Sequence, residues 1–437
     1  MSIKTRRFLF YSLVCIFILL GTFLVLNSRG YRLDFKNFQL EATGGIYLSS
    51  TPTKTLIELD GEKIKNEAGL LQQGTLIDNL LPGEYVLSVQ LDNHSSWKSS
   101  IEVESGTVSV FDSIILVPEI EPLQISDSLA DKIVASGEHL GVEAGGGVSI
   151  NGTLVYGHEI VALSDSGTIL TRSAVTSNYY LANAFKPDEN LNLSLIFNNL
   201  KTEKLGLPGA IDIKEVTFYP YNDQRFIAST QQAIYIFDIN RLTIEQIALG
   251  VSDFFVQGQN SVAWIEDNQL KTFNLPLRTT TVALDLASQG ITDISLEQLH
   301  DTSLGWFALN KAGDLSLWTQ SNAPEVIDTN VKTFALSPNE ENIAVLKNDG
   351  TLYAYNFEEE ERTSIDSSTS INEMVWFNDS MHLFILKGSS LIFDDISSAN
   401  LENGITIGTD IKSFSYTGND TVIFSNQSGV WERILID

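Results

Sequence analysis

The chain has 437 residues, is 43% hydrophobic, and carries a formal net charge of −28 from 27 Lys and Arg against 55 Asp and Glu. That length and apolar content suffice for two or three domains with real cores, whereas so acidic a body repels phosphate backbones and excludes nucleic acid as a partner. One cysteine, Cys15, excludes an intrachain disulfide, and no cysteine zinc site or cysteine nucleophile can be built elsewhere in the sequence.

The charge is unevenly spread. Residues 1–36 carry Lys4, Arg6, Arg7, Arg29, Arg32 and Lys36 against Asp34 alone, while the rest carries 21 basic and 54 acidic side chains, a balance of −33. Residues 8–26 are 19 consecutive uncharged residues, predominantly apolar. As a helix rising about 1.5 Å per residue they span roughly 28 Å, close to the hydrocarbon thickness of a bilayer. Leu24-Val25-Leu26-Asn27-Ser28-Arg29 offers no small-residue cleavage site, so the stretch is expected to persist as a transmembrane helix and not to be removed as a signal peptide. Lys4, Arg6 and Arg7 precede it. The positive-inside rule therefore keeps residues 1–7 cytoplasmic and carries the C-terminal bulk outside the cytoplasm, as a single-pass protein of the cell membrane. Residues 27–43 form a juxtamembrane linker.

Residues 44–118 alternate apolar and polar side chains between turn signals and predict a small β-sandwich. Ile46-Tyr47-Leu48-Ser49-Ser50 and Leu56-Ile57-Glu58-Leu59 read as strands, with the hairpin signal Asp60-Gly61 after the second. Leu81-Pro82-Gly83-Glu84-Tyr85 is a turn feeding Val86-Leu87-Ser88-Val89, and Ile101-Glu102-Val103 and Val108-Ser109-Val110 supply later strands. With Ser50-Thr51-Pro52, Leu59-Asp60-Gly61, the Pro-Gly-x-Tyr of residues 82–85 and Trp97-Lys98, the stretch resembles the PEGA domain, an immunoglobulin-like sandwich of bacterial surface and envelope proteins. It departs from that family at Pro52-Thr53-Lys54-Thr55, which keeps only the proline of Pro-Glu-Gly-Ala, and at Asp92-Asn93-His94, where the family has Gly-Tyr.

Pro118-Glu119-Ile120-Glu121-Pro122 is a stiff acidic connector. Beyond it, in residues 119–437, an apolar strand recurs as Val216-Thr217-Phe218-Tyr219, Phe254-Phe255-Val256, Ile294-Ser295-Leu296, Phe334-Ala335-Leu336, Val375-Trp376-Phe377 and Phe414-Ser415-Tyr416. Successive starts lie 38, 40, 40, 41 and 39 residues apart. A β-unit repeated at that period predicts a β-propeller. Counting a polar turn followed by a strand gives seven units, near Ser164, Thr230, Asp267, Lys311, Asn348, Lys387 and Asn426. The long first interval reflects either an insertion around residues 187–190 or an eighth blade containing Leu193-Ser194-Leu195-Ile196-Phe197, and seven blades are the preferred count. The last unit has three strands, so its fourth is expected from residues 123–135, pairing the two ends of the ring. Ser337-Pro338-Asn339-Glu340 before a second strand and Asn348-Asp349-Gly350 before a third resemble the WD40-like and TolB-type propellers of bacterial envelopes, without the Trp-Asp and Gly-His signatures of true WD40 repeats. The fold class is thus all-β: an N-terminal transmembrane helix, a PEGA-like sandwich and a propeller.

Chemistry is sparse. His94, His139, His158, His300 and His382 show no metal-ligand spacing, and there is no Gly-x-Ser-x-Gly elbow, Walker loop or Rossmann glycine pattern. Gly145-Gly146-Gly147 reads as a flexible turn. Ser164-Asp165-Ser166-Gly167-Thr168 is similar to the Asp-box of sialidases, itself a turn motif, but only Arg172 and Arg225 stand in the first blades where such an enzyme needs an arginine cluster. The acidic run 358–361 reads as a solvated outer loop. Tyr179, Tyr180, Tyr221 and Trp306 are candidate exposed aromatics of a binding face, although aromatics in such a fold are more often core. No catalytic, cofactor-binding or metal residue is assigned, and no cofactor is expected. The function expected is non-catalytic: a membrane-anchored binding or scaffolding protein of the bacterial cell envelope whose propeller recognises an envelope protein or a cell-wall glycan. The alternatives are a structural surface-layer component and a glycan-active propeller enzyme, which requires two convergent carboxylates about 5–9 Å apart.

Overall fold

The computed structural model describes residues 3–28, 30–34, 39–69, 72–291, 296–320, 323–358, 360–396 and 404–436. The chain divides into two compact units, Met1–Ile120 with Asp395–Ile405 and Leu435–Asp437, and Glu121–Asp394 with Thr406–Ile434.

The first unit opens with helix α1, Ile3–Ser28. Within it Thr5–Leu26 has a mean hydropathy of 2.7 and no burial against the protein, so it is long and apolar enough to cross a membrane. After it, two sheets enclose one core. Gly44–Thr51 lies between Thr75–Leu80, antiparallel, and Val108–Ile115, parallel. The facing sheet runs Glu62–Ile64, Leu56–Leu59, Gly83–Gln90, Trp97–Val103. Burial alternates along the last strand, with Trp97, Ser99, Ile101 and Val103 inward and Lys98, Ser100 and Glu102 outward, as the two-residue period of a half-buried strand dictates. Trp97 meets Phe111 edge-on at 5.6 Å between ring centres, and Ile46, Leu48, Ile57, Leu87, Val89 and Ile114 complete the core. The expected hairpin is present: Asp60 and Gly61 both take positive φ, 52° and 80°, which favours Gly and Asx residues at a two-residue turn.

The propeller contains eight four-stranded sheets among the described residues. The described strands of blades 1 to 7 fall within residues 132–155, 159–192, 215–249, 255–285, 296–328, 331–367 and 371–408, and each sheet keeps the order of its strands in the chain. Blade 8 takes three strands from Ser413–Tyr416, Thr421–Asn426 and Gly429–Ile434, and its outer strand from Leu123–Ser126. The expected closure by the two chain ends is therefore observed, through Leu123–Ser126 paired with Gly429–Ile434.

The sheets exceed the seven turn units by one, for two local reasons. Blade 1 places Gly145-Gly146 in its second-to-third turn, both at positive φ (56° and 78°), so this glycine run is a hairpin turn that the turn count passed over. The Ser164 turn, counted as a second-to-third turn, instead joins the first and second strands of blade 2, Glu159–Leu163 and Thr168–Arg172. The long interval is not filled by a strand over 193–197. Residues 187–190 lie in the fourth strand of blade 2, Lys186–Asn192, and 193–197 begin helix α2, Leu193–Leu205. Asn192 caps α2 by accepting from the Leu195 N–H at 2.9 Å, and Gly206 ends it in the left-handed region at φ 67°. Leu193, Phe197 and Leu200 form its buried stripe, against Leu181, Phe226, Tyr235 and Phe237 of blades 2 and 3. Five apolar-rich residues fit periods of 2 and 3.6 equally well, and only the continuation to Leu200 separates them. The expected strand residues Ile294 and Ser295 lie outside the described residues.

Blades join by apolar packing between neighbouring faces. Central strands are consequently buried on both sides, as in Ala233–Asp238, where all six residues are buried. Ile227 and Ile236 of blade 3 pack with Val262 and Trp264 of blade 4, Phe307 of blade 5 with Phe334 and Val345 of blade 6, and Ile133 and Val142 of blade 1 with Val430 of blade 8. Ion pairs add ties from the outer strand of one blade to the second strand of the next. Asp328, closing blade 5, accepts from Lys347 Nζ of blade 6 at 2.8 Å and from the Tyr353 hydroxyl at 2.7 Å. Lys387 of blade 7, 40 residues after Lys347, pairs in the same way with Asp366 of blade 6 at 2.7 Å. The Asp328 side chain is only 11% exposed, so Asp328→Ala strands a lysine and a phenol and should lower unfolding stability by about 3 kcal/mol in denaturant titration. A variant within about 0.5 kcal/mol of the parent would show the tie to be energetically idle.

Candidate functional site

Each blade is an up-and-down meander. Its first-to-second and third-to-fourth turns therefore lie at one end, and its second-to-third turn and the link to the next blade at the other. At the first of these ends, the inner turns of blades 1, 2 and 3 surround an open cleft of about 450 Å³. Ser136 comes from blade 1, Leu163, Ser164, Asp165 and Ser166 from blade 2, and Phe218, Tyr219, Pro220, Tyr221, Asn222 and Asp223 from blade 3.

A chain of hydroxyl–carboxylate bonds fixes these turns. The Ser136 hydroxyl donates to Asp165 Oδ1, and the hydroxyls of Ser166 and Thr168 both donate to Asp223 Oδ2. Within the blade 2 turn, Ser164 Oγ accepts from the Thr168 N–H at 3.0 Å. Partial burial pushes the Asp223 carboxyl up, but hydrogen bonds from Ser166, Thr168, Gln224 and its own backbone N–H together outweigh it and hold the group below the ordinary aspartate value. Gly167 (φ 78°) is required here, because a Cβ would lie 2.8 Å from the His139 ring. The turn similar to an Asp-box is thus an inter-blade clamp whose Asp165 side chain also faces the cleft.

The aromatic wall is of a different character. The Arg225 guanidinium lies over the Tyr219 ring, 4.0 Å from its centre. Tyr221 is 80% exposed and stands at φ 57°, a conformation uncommon for a bulky side chain. Of the four aromatics singled out in the sequence, Tyr221 alone lines this cleft. Tyr179 is buried, with its hydroxyl donating to the Lys214 carbonyl at 3.0 Å. Trp306 belongs to the core between blades 4 and 5. Tyr180 is half-buried against Tyr156, with ring centres 4.4 Å apart. Asp165, Phe218, Tyr219 and Asp223 went unrecognised as cleft residues. Asp165 carries the signal of an Asp-box-like turn, and Phe218 and Tyr219 that of the recurring strand; what joins all four is position in the inner turns of consecutive blades, which the turn count over the first blades obscured.

At the opposite end, a second cleft of about 340 Å³ is lined by Lys214, residues 250–253, Phe255, Ile265, Leu296 and Lys311. It is crossed by the Lys214–Asp253 ion pair. Burial pushes the carboxyls of Glu215, Asp301 and Glu373 above their ordinary values; they stand on the first strands of blades 3, 5 and 7, which are not neighbours. Among the described residues no group of three or more His, Cys, Asp and Glu side chains is arranged to hold a metal ion. The acidic run includes Glu359, which lies outside the described residues; Glu361 opens the fourth strand of blade 6.

No protein-family model matches the chain, and no curated protein matches it. Among solved structures it is similar to the computationally designed Ika8 protein, at 12% identity and a TM-score of 0.47 over 72% of this chain and 98% of that one. The C-terminal WD40 domain of Sif2 aligns at 10% identity and a TM-score of 0.46, again over 72% and 98%. PorZ, a surface component of the type-IX secretion system of Porphyromonas gingivalis, aligns at 11% identity and a TM-score of 0.36, over 71% of this chain and 37% of PorZ.

Asp223→Ala removes the acceptor of two hydroxyls at the rim of the cleft and should cost about 1–2 kcal/mol. Because the folded carboxyl titrates below its unfolded value, its stabilisation is complete above the unfolded pKa near 4 and is lost as pH falls through the lower folded value. The difference between parent and variant should therefore shrink in melts below about pH 4. A difference that is constant from pH 7 to pH 2 would disprove the linkage.

Proposed function

We propose that the protein is a binding or scaffolding component of a bacterial cell envelope, held to the membrane by α1 with its N-terminus cytoplasmic and its propeller extracytoplasmic. In this reading the chain acts by recognition and not by catalysis, and the cleft of blades 1–3 faces an envelope protein or a cell-wall glycan. The supporting observation is the cleft itself: an open, aromatic and carboxylate-lined concavity whose most exposed ring, Tyr221, is held outward by a fixed backbone. A concave site with an apolar wall and a few placed polar groups is the usual form of a recognition surface. The apolar and unburied α1 supports the anchor, and Lys4, Arg6 and Arg7 support its orientation. The sandwich, with its Trp97 core and Asp60-Gly61 hairpin, is compatible with a PEGA-like spacer between membrane and propeller.

The test is co-sedimentation of the full-length protein in lipid nanodiscs with isolated cell-wall polymer and, separately, its retention of solubilised envelope proteins. Protease digestion of intact cells and of inverted vesicles runs alongside. The expected result is saturable binding to one of the two, with the propeller digested only from outside the cell. Binding to neither, or a propeller cleaved only from the cytoplasmic side, would overturn the proposal.

A further inference from the structure

The inner-turn cleft has a chemistry more specific than general recognition. Its two carboxyl side chains are those of Asp165 and Asp223, and none of its lining residues is a cation. Phe218, Tyr219 and Tyr221 form the aromatic part of its wall. The body around it carries the excess of carboxylates that gives residues 37–437 a balance of −33. The nearby Arg225 guanidinium already lies on Tyr219 at 4.0 Å. A phenol ring of this wall is therefore used, within the protein, to hold a cation by its face.

We infer that the cleft binds a cationic side chain, lysine or arginine, presented by an extended segment of a protein partner. The inference rests on the recognition role proposed above and narrows it from protein or glycan to a basic peptide. Tyr221 offers a free ring face to the incoming ammonium or guanidinium, and Asp165 and Asp223 supply the neutralising charge. The two effects reinforce each other because ring and carboxylates line one concavity. The negative field of the whole domain steers such a segment in and raises its encounter rate at low salt. An anionic cell-wall polymer is repelled by the same field. A neutral sugar could stack on Tyr221 but would gain nothing from the charge.

The test uses the full-length protein in nanodiscs and a fluorescein-labelled twelve-residue Gly-Ser peptide bearing four spaced Lys and Arg residues. Matched peptides carry Gln or Glu at those four positions, and an unlabelled oligosaccharide of N-acetylglucosamine serves as competitor. Fluorescence anisotropy should show the Lys/Arg peptide binding at least about tenfold more tightly than the Gln peptide, and less tightly as salt rises. An acidic protein attracts basic peptides non-specifically, so the deciding variant leaves the net charge unchanged. Tyr221→Asn removes the ring, keeps a residue tolerant of positive φ, and should weaken binding about fivefold to tenfold. Tyr221→Phe should retain it, and Asp165→Asn should weaken it as well. Thermal melts of each variant establish that the fold is kept.

Equal affinity for the Lys/Arg and Gln peptides, indifference to Tyr221→Asn, or displacement of the basic peptide by the oligosaccharide would each overturn the inference. If the full-length protein still binds polymer or envelope protein saturably in those cases, only the ligand class falls. If that binding is absent too, the recognition role falls with it.

Discussion

Blades stack face to face, so an open array of such sheets would leave one apolar blade face bare to water at each end. The pairing of Leu123–Ser126 with Gly429–Ile434 resolves this by building blade 8 from both ends of the repeat region. Blade 1 then packs against blade 8 through Ile133, Val142 and Val430 as any blade packs against its neighbour. Once the ring is closed, every central strand has a blade on each side. This is why Ala233–Asp238 is buried throughout, whereas Trp97–Val103 of the sandwich alternates.

Closure also decides where polar chemistry can sit. Faces between blades are taken up by apolar packing, so side chains with hydrogen bonds to make collect at the strand ends. Some of these bonds are ties, such as Lys347 to Asp328 and Lys387 to Asp366, repeated one blade apart. At the inner turns of blades 1–3 the same kind of tie coincides with a concavity. There the hydroxyls of Ser136, Ser166 and Thr168 hold Asp165 and Asp223 in place. The carboxylates that lock neighbouring blades are thus also the charged groups of the cleft, and mutation at either position perturbs packing and recognition together. Tyr221 is separable from this coupling. It is exposed and outside the hydroxyl–carboxylate chain, so it reports on binding without disturbing the clamp.

The irregular start of the ring has a packing cause. Helix α2 lies in the chain between blades 2 and 3 and fills their shared core with Leu193, Phe197 and Leu200. Its insertion lengthens the repeat interval just before the turn that contributes Phe218 to Asp223 to the cleft. The cleft therefore forms where the sequence period is least regular, which is why a reading based on that period located Tyr221 but not the residues around it.

By itself the sequence determined the all-β class, the apolar helix, the sandwich strands around Asp60-Gly61 and a propeller closed by its own chain ends. Each of these depends on local periodicity or turn chemistry, which a short window contains. Only the tertiary structure decided that the ring has one more sheet than the turn units, that 193–197 is helix, and that Tyr179 and Trp306 are core while Tyr221 is exposed. It also decided that Asp165 and Asp223, 58 residues apart, line one cleft. Burial and proximity are set by which blade faces which, and that follows from ring closure, a property of the whole chain that no window of residues can display.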